Sequence, residues 1–335
     1  MLNNSISSFI LLTNQKETIM TLSSLIFFVS MLFSATAKPL NIVATTGMVA
    51  DITREVVGEH GEVRALMGEG VDPHLYKPTA ADAKAILGAD MIFYSGLMLE
   101  GRMSDTFFKA ARMGKVVFPV TELIDEEFLL EPPEFMGHWD PHVWMDVSAW
   151  SRAVDTVAVA LCEQDPAHRD TYIANAKKYT EQLTHLHKYA VDAIASIPKE
   201  RRVLITAHDA FNYFGRAYGI EVIGIQGLST ESEAGIEDVN RLVYMLVDKK
   251  ITAVFVESSV SDRNVRALVE GAAAKGHEVK IGGRLFSDAM GKRGAYEGTY
   301  IGMLDHNITT IAKALGGKVP AGGFQDKLGG SVEEK

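Results

Sequence analysis

Residues 170–198 read DTYIANAKKYTEQLTHLHKYAVDAIASIP. Apolar side chains fall at 172, 173, 176, 179, 183, 186, 190, 194 and 197. Steps of three and four sustained over this length put one apolar stripe on one face of a single helix. Pro198 marks its end, because proline pushes the residue before it out of helical geometry. A helix of about 28 residues is roughly 42 Å long at 1.5 Å per residue, more than one small lobe needs. Such a helix can run along two lobes and hold them rigidly, as a Gly/Ser-rich hinge could not.

On either side of the helix, short β-branched apolar runs recur in two groups of four. They lie at 40–45, 63–67, 91–95 and 116–120 before it, and at 203–207, 221–225, 253–257 and 279–282 after it. Helix-like stretches separate most neighbours; 79–87 is alanine-rich and opens on Thr79 as N-cap. Thr230-x-x-Glu233 reads as a capping box for the periodic stretch 236–247. Strands alternating with helices imply parallel sheets. The expected fold class is therefore α/β, with two lobes, each a mostly parallel four-stranded sheet with flanking helices, joined by one long rigid linker helix. The expected boundaries are 38–165 for the N-terminal lobe, 166–197 for the linker and 198–335 for the C-terminal lobe. The polar, glycine-rich tail at 322–335 is expected to fray.

The composition is that of a packed globular protein: 335 residues, 47% hydrophobic and 23% charged. With 33 Lys and Arg against 43 Asp and Glu, the formal charge is -10. That balance argues against a nucleic-acid partner and suits a cationic ligand. A single cysteine, Cys162, excludes an internal disulfide and a multi-thiolate zinc framework. Residues 22–33, LSSLIFFVSMLF, are too short to span a bilayer but match the apolar region of a secretory signal. Ala35-Thr36-Ala37 offers an A-x-A cleavage site, so 1–37 is expected to be a signal peptide with Lys38 opening the mature chain. Met20 is an alternative start to Met1. No cysteine stands at the cleavage point, so the expected address is periplasmic and not lipid-anchored.

The tripeptide Asp-Pro-His occurs twice, as Asp72-Pro73-His74 and Asp140-Pro141-His142, both outside the strand groups. Proline fixes its own φ and restricts the residue before it, so each histidine leaves a stiff support and loses little freedom on coordinating. His208 follows the run at 203–207, and Asp288 follows the last run, 279–282. Both thus belong to the C-terminal ends of parallel strands, where α/β sheets place binding groups. Three imidazoles and one carboxylate suit a divalent transition metal, two donors from each lobe. Spacing alone leaves a structural role at each position as the competing reading, and an Asp before Pro often supports its own turn. His60, His168, His277 and His306 read as structural. His185 and His187, two apart on the long helix, face different ways. His138 reads as an exposed loop residue.

With these motifs in place the mature chain resembles a known family throughout: the metal-binding solute receptors of ABC transporters, cluster A-I, or the TroA-like/ZnuA family. The resemblance is carried by IVATT at 42–46, DPHLYKPTAAD at 72–82, DPHVWMD at 140–146 and TAHDAFNYF at 206–214. It continues through GIQGLSTESEAG at 224–235, GGRLFSDAM at 282–290 and GTYIGMLDHN at 298–307. It implies two α/β lobes on one long helix, with His74, His142, His208 and Asp288 as metal ligands. Some manganese receptors of the family carry glutamate where this chain has His208, whereas zinc and mixed-metal receptors carry histidine. Zinc-specific members often have a long His- and acid-rich loop before the second histidine motif; here 125–139 is short, with one histidine. The reading tilts slightly to manganese over zinc, with iron a further candidate.

The implied function is capture of the ion and its delivery to an inner-membrane ABC permease, by a monomer and not an enzyme. The ATPase belongs to another chain, since no G-x-x-x-x-G-K-[ST] loop occurs. Affinity is expected to fall as pH drops through ~6, because the imidazoles must be neutral to coordinate. Glu257 is a candidate to orient one of them, with a structural role as the alternative. A secreted zinc hydrolase is a competing class, but it commonly uses His-Glu-x-x-His, and His277-Glu278 continues into Val279-Lys280. A surface adhesin is a third.

Overall fold

Each of the eight apolar runs becomes a strand. The computed structural model describes residues 38–329, so the expected signal segment at 1–37 lies outside the described residues. The N-terminal lobe begins β1 (Leu40–Ala44), α1 (Gly47–Val57), β2 (Gly61–Ala65), α2 (Ala80–Gly88). It continues β3 (Met91–Tyr94), α3 (Ser104–Arg112) and β4 (Val116–Pro119). These strands form one parallel sheet in the order β2-β1-β3-β4. The strand order reverses beside β1, which opens a crevice at the carboxyl ends of β1 and β3. The helices start where short polar side chains satisfy their first free N–H groups. Thr46 caps α1, and Thr79 with Asp82 forms a full capping box on α2.

Two helices follow, α4 (Val147–Gln164) and the long α5 (Arg169–Ala195). α5 has 27 residues, about 40 Å, and buries Tyr172, Ala176, Tyr179, Leu183, Leu186, Ala190 and Ile194 of the stripe expected from the sequence, together with Ala193. Ile173 is the exception and stays half exposed. The C-terminal lobe comprises β5 (Val203–His208), α6 (Asn212–Tyr218), β6 (Glu221–Gln226), α7 (Ile236–Asp248), β7 (Ala253–Glu257), α8 (Arg263–Ala274), β8 (Lys280–Leu285) and α9 (Tyr300–Ala314). Its strands are parallel as expected, but they pair as two ladders, β5-β6 and β7-β8, with β5 alongside β7. Among the described residues no helix is long and apolar enough to cross a membrane.

α5 packs on α1, α4 and α9, and one hydrophobic cluster runs without a break from Ile42 and Trp150 through Tyr172 and Leu186 to Tyr300 and Ile311. The linker is thus a shared wall of both lobes. A buried carboxylate pins this junction: Asp51 of α1 accepts from the Tyr179 hydroxyl of α5 at 3.1 Å and from the Tyr300 N–H at the start of α9 at 2.9 Å. Burial raises the Asp51 pKa above its ordinary value, partly offset by those two donors. Gly302, in the first turn of α9, is required by packing, since a Cβ there would lie 1.8 Å from the Tyr296 carbonyl oxygen.

Two local expectations are corrected. Thr230 and Glu233 form no capping box; α7 starts after Gly235 without a side-chain cap, and Thr230 is engaged elsewhere. The tail does not fray over 322–329: the Phe324 N–H donates to the buried Asp305 at 2.7 Å, and the Phe324 ring packs on Tyr189.

Candidate metal centre

The twin Asp-Pro-His tripeptides fold alike. In each, the aspartate Oδ1 accepts the backbone N–H of the histidine two residues on, at 2.8 Å for Asp72 and His74 and 2.9 Å for Asp140 and His142. Proline between them has no N–H to compete, so the turn closes on the carboxylate. The remaining partners differ. Asp140 Oδ1 also takes the His142 ring at Nδ1, 2.7 Å away, which turns Nε2 toward the cleft. Asp72 leaves the His74 ring alone and crosses the cleft through Oδ2 to the Thr230 hydroxyl.

From the other lobe, His208 ends β5 and Glu257 ends β7. Glu257 holds His208 twice: Oε1 accepts its backbone N–H at 2.9 Å and Oε2 meets its Nδ1 at 2.5 Å. A carboxylate on Nδ1 again leaves Nε2 to face the cleft. Glu257 therefore takes the orienting role considered for it. Asp288 stands in the loop after β8. The Trp144 indole N–H donates to the neighbouring Ser287 carbonyl at 2.9 Å, and the Trp144 ring packs edge-on to His142 with centroids 5.2 Å apart.

These placements bring His74, His142, His208 and Asp288 together, all buried, with ligand atoms within 4.8 Å of one another. The Nε2 atoms of His74 and His142 are 3.3 Å apart. Asp288 Oδ1 lies 3.5 Å from His142 Nε2, and Oδ2 lies 3.8 Å from His74 Nε2 and 3.2 Å from His208 Nε2. Four donors at the corners of a tetrahedron with ~2.0–2.1 Å bonds are separated by ~3.3 Å, so the spacing suits an ion at their centre. His208 Nε2 and both Asp288 oxygens are buried without a hydrogen-bond partner, a costly state that a cation relieves. Because both Asp288 oxygens face imidazoles, the carboxylate can bind through one or both.

Electrostatics follow from burial and neighbours. Desolvation drives His74 down to about 3, so its ring is neutral and ready to coordinate. Burial opposes charge on His208 too, but Asp288 and Glu257 on either side outweigh it and push the imidazole well above its ordinary value. Burial would raise Asp288, yet the imidazoles, His208 foremost, hold it well below the usual carboxylate range. A proton on His208 thus stands where a divalent ion supplies charge, and the two compete.

The other histidines lie outside the site, most of them with structural partners. His60 stacks on His168, whose Nδ1 meets Asp165 at 2.6 Å. His277 and His306 bond backbone carbonyls, His185 and His138 are exposed, and His187 packs on Tyr218. Sequence reasoning gave Asp140 the support of its own turn, which the structure shows, but missed its hold on the His142 ring and the roles of Trp144 and Thr230. The last two act across the cleft and leave no local pattern.

Fold and site together define a two-lobed α/β binding protein. A family model described as "Zinc-uptake complex component A periplasmic" matches residues 42–314, and the chain belongs to this ZnuA family. It is 49% identical over 278 residues to the manganese-binding lipoprotein MntA of Bacillus subtilis, covering 83% of this chain and 90% of that relative. It is 46% identical over 284 residues to the zinc-binding protein TroA of Treponema pallidum, covering 84% and 90%. The solved structure of periplasmic TroA superposes with a TM-score of 0.80 at 46% identity, over 83% of this chain and 99% of that one. Fe(III)-bound YtgA of Chlamydia trachomatis superposes with a TM-score of 0.74 at 26% identity, over 83% and 99%.

Proposed function

We propose that this chain is the solute-binding component of an ABC importer. It captures a divalent transition metal, manganese or zinc, on His74, His142, His208 and Asp288, and hands it to a separate membrane permease driven by its own ATPase. The observation that carries the reading is the buried donor cluster itself: four ligands at metal spacing, with the inward atoms of His208 and Asp288 left without hydrogen bonds. Family membership and the manganese- and zinc-binding names of MntA and TroA support it. Neutral imidazoles suit zinc, and a carboxylate free to bind through both oxygens suits the higher coordination number of manganese.

In this reading the lobes are 38–165 and 198–335, the linker is 166–197, and the protein acts as a monomer outside the cytoplasmic membrane. The continuous core along α5 supports modest closure rather than a wide swing. The reading includes no catalytic step, because four protein ligands fill a tetrahedral site. Elemental analysis of the purified protein, then thermal unfolding of the stripped form with Mn²⁺ or Zn²⁺, tests it. Metal at about 100 times its dissociation constant stabilises by roughly 2.7 kcal/mol. No bound metal and no shift with either ion would refute the reading. Fractionation tests the address, and retention on membranes after a salt wash would indicate an anchored form, as the lipoprotein name of MntA says of that relative.

A further inference from the structure

The loop at 227–235 belongs to the C-terminal lobe, yet it reaches the N-terminal lobe twice. The Thr230 hydroxyl donates to Asp72 Oδ2 at 2.6 Å, and Glu231 Oε1 meets Arg102 Nε at 2.8 Å. Asp72 is also the residue that holds the His74 backbone N–H. Thr230, Asp72 and His74 are therefore one chain of contacts from the loop to a ligand.

Behind the loop lies a cavity of about 370 Å³ whose lining includes Leu97, Met98, Arg102, Leu228 and His74. Of the four donors only His74 lines it, and His74 is 6% exposed where the others are 0–1%. Solvent therefore comes closest to the site on this side. The two walls of the opening are built differently. The N-terminal wall is pinned by the buried Glu100, whose Oε1 accepts from Thr45 Oγ1 at 2.6 Å and Ser95 N at 2.8 Å, and whose Oε2 accepts from Gly96 N at 3.3 Å. It holds Leu97 and Met98 in left-handed backbone, φ 50° and 65°. The facing loop runs between Gly227 and Gly235, with Gln226 Nε2 to the Ser232 carbonyl at 3.1 Å as a tie within its own lobe. Arg263 Nη2 to Glu233 Oε2 at 3.2 Å is a second tie within that lobe, so Thr230 and Glu231 are what joins the loop to the facing wall.

We propose that residues 228–232 are the gate of the metal site and that the Thr230–Asp72 hydrogen bond is its latch, setting how fast the ion leaves. Thr230 is a positioning residue: it never touches the metal but holds the loop over His74, so opening uncovers His74 while His142, His208 and Asp288 stay buried. The inference rests on the metal-receptor reading. Arg102–Glu231 is a solvent-exposed pair and adds little. The latch is hydroxyl to carboxylate, a stronger class of bond.

The test loads the full chain with Zn²⁺, adds excess chromogenic chelator and follows the rate of zinc loss. Thr230→Val keeps the shape and removes the hydroxyl; release should accelerate about ten-fold or more, the loss expected for one hydrogen bond to a charged group. Thr230→Ala should behave the same, and Thr230→Ser should restore the parental rate. The melting temperature of the metal-free protein and the zinc stoichiometry should stay constant, which a general loss of structure would not allow. Parental release rates in both Thr230→Val and Thr230→Ala, with zinc bound, overturn the gate and leave the metal-receptor reading standing. A parent protein that binds no zinc overturns both.

Discussion

Replacing Glu257 by glutamine removes one charge and one acceptor from the wall behind His208. Glu257 is 1% exposed, and its two oxygens serve two N–H groups of one residue, the His208 backbone at 2.9 Å and ring Nδ1 at 2.5 Å. Glutamine offers a single oxygen; its amide would point N–H against N–H at the other position. An unsatisfied buried donor costs about 1–3 kcal/mol. If the backbone keeps the oxygen, the imidazole loses the acceptor that places its proton on Nδ1. The proton can then sit on Nε2, the atom that must face the ion. Loss of a partner that orients a ligating histidine lowers metal affinity by about 10–100-fold. Because charge, acceptor and tautomer go together, Glu257→Gln should fall near the upper end, about 100-fold or 2.7 kcal/mol at 1.36 kcal/mol per factor of ten. Competition titration against a chelator of known Zn²⁺ affinity measures this, with the melting temperature of the metal-free variant as the control for folding. Zinc affinity within about three-fold of the parent, in a folded variant, would refute the claim that Glu257 presents His208 to the ion.

Asp140→Asn should weaken metal binding less, by about ten-fold, because one amide oxygen can still serve both the His142 N–H and Nδ1, and the new amide N–H faces the Asn212 side chain rather than the imidazole; a larger loss than for Glu257→Gln in the same titration would contradict the geometry. His208→Ala should remove most of the roughly 2.7 kcal/mol of stabilisation given by metal at 100 times its dissociation constant, read as a lost thermal shift, and a retained shift would mean the ligand set is wrong. Gly302→Ala should destabilise the fold by about 1–3 kcal/mol in urea unfolding, since its Cβ meets the Tyr296 carbonyl at 1.8 Å; an unchanged midpoint would show that the turn yields freely. Asp51 has a folded pKa above its unfolded one, so it favours folding most at acid pH, and that contribution is lost as pH rises from about 4 through the folded value. Asp51→Asn removes the titration, so the cost of the substitution should shrink from pH 4 to pH 7, and a cost that grows over that range would reverse the assigned sign.

What the sequence determined by itself is local. The three-and-four spacing between Tyr172 and Ile194 specifies α5 because a helix places those positions on one face, whatever it packs against. The β-branched runs specify strands for a similar reason, and Thr79 specifies a cap through contacts within three residues. Pro73 and Pro141 stiffen the backbones of His74 and His142 where they stand. Each of these signals spans a handful of residues, so a linear pattern carries it.

What only the tertiary structure decided are relations between distant residues. Thr230 is the clearest case: locally it reads as a helix cap, but a carboxylate 158 positions away offers a charge-assisted bond that the backbone of α7 does not match. Phe324, in the described part of the tail, is held by Asp305 for a similar reason, a buried acceptor satisfied from outside its own helix. How β5 to β8 pair depends on ladders that no single strand encodes. The site itself is of this kind. Strand ends and stiff turns marked its four residues separately, but the orientation of each imidazole comes from what stands behind it. Asp140 lies in His142's own turn, while Glu257 reaches His208 from 49 residues along the chain. Coordination needs donors placed to within a fraction of an ångström, and only the packed lobes on either side of α5 supply that placement.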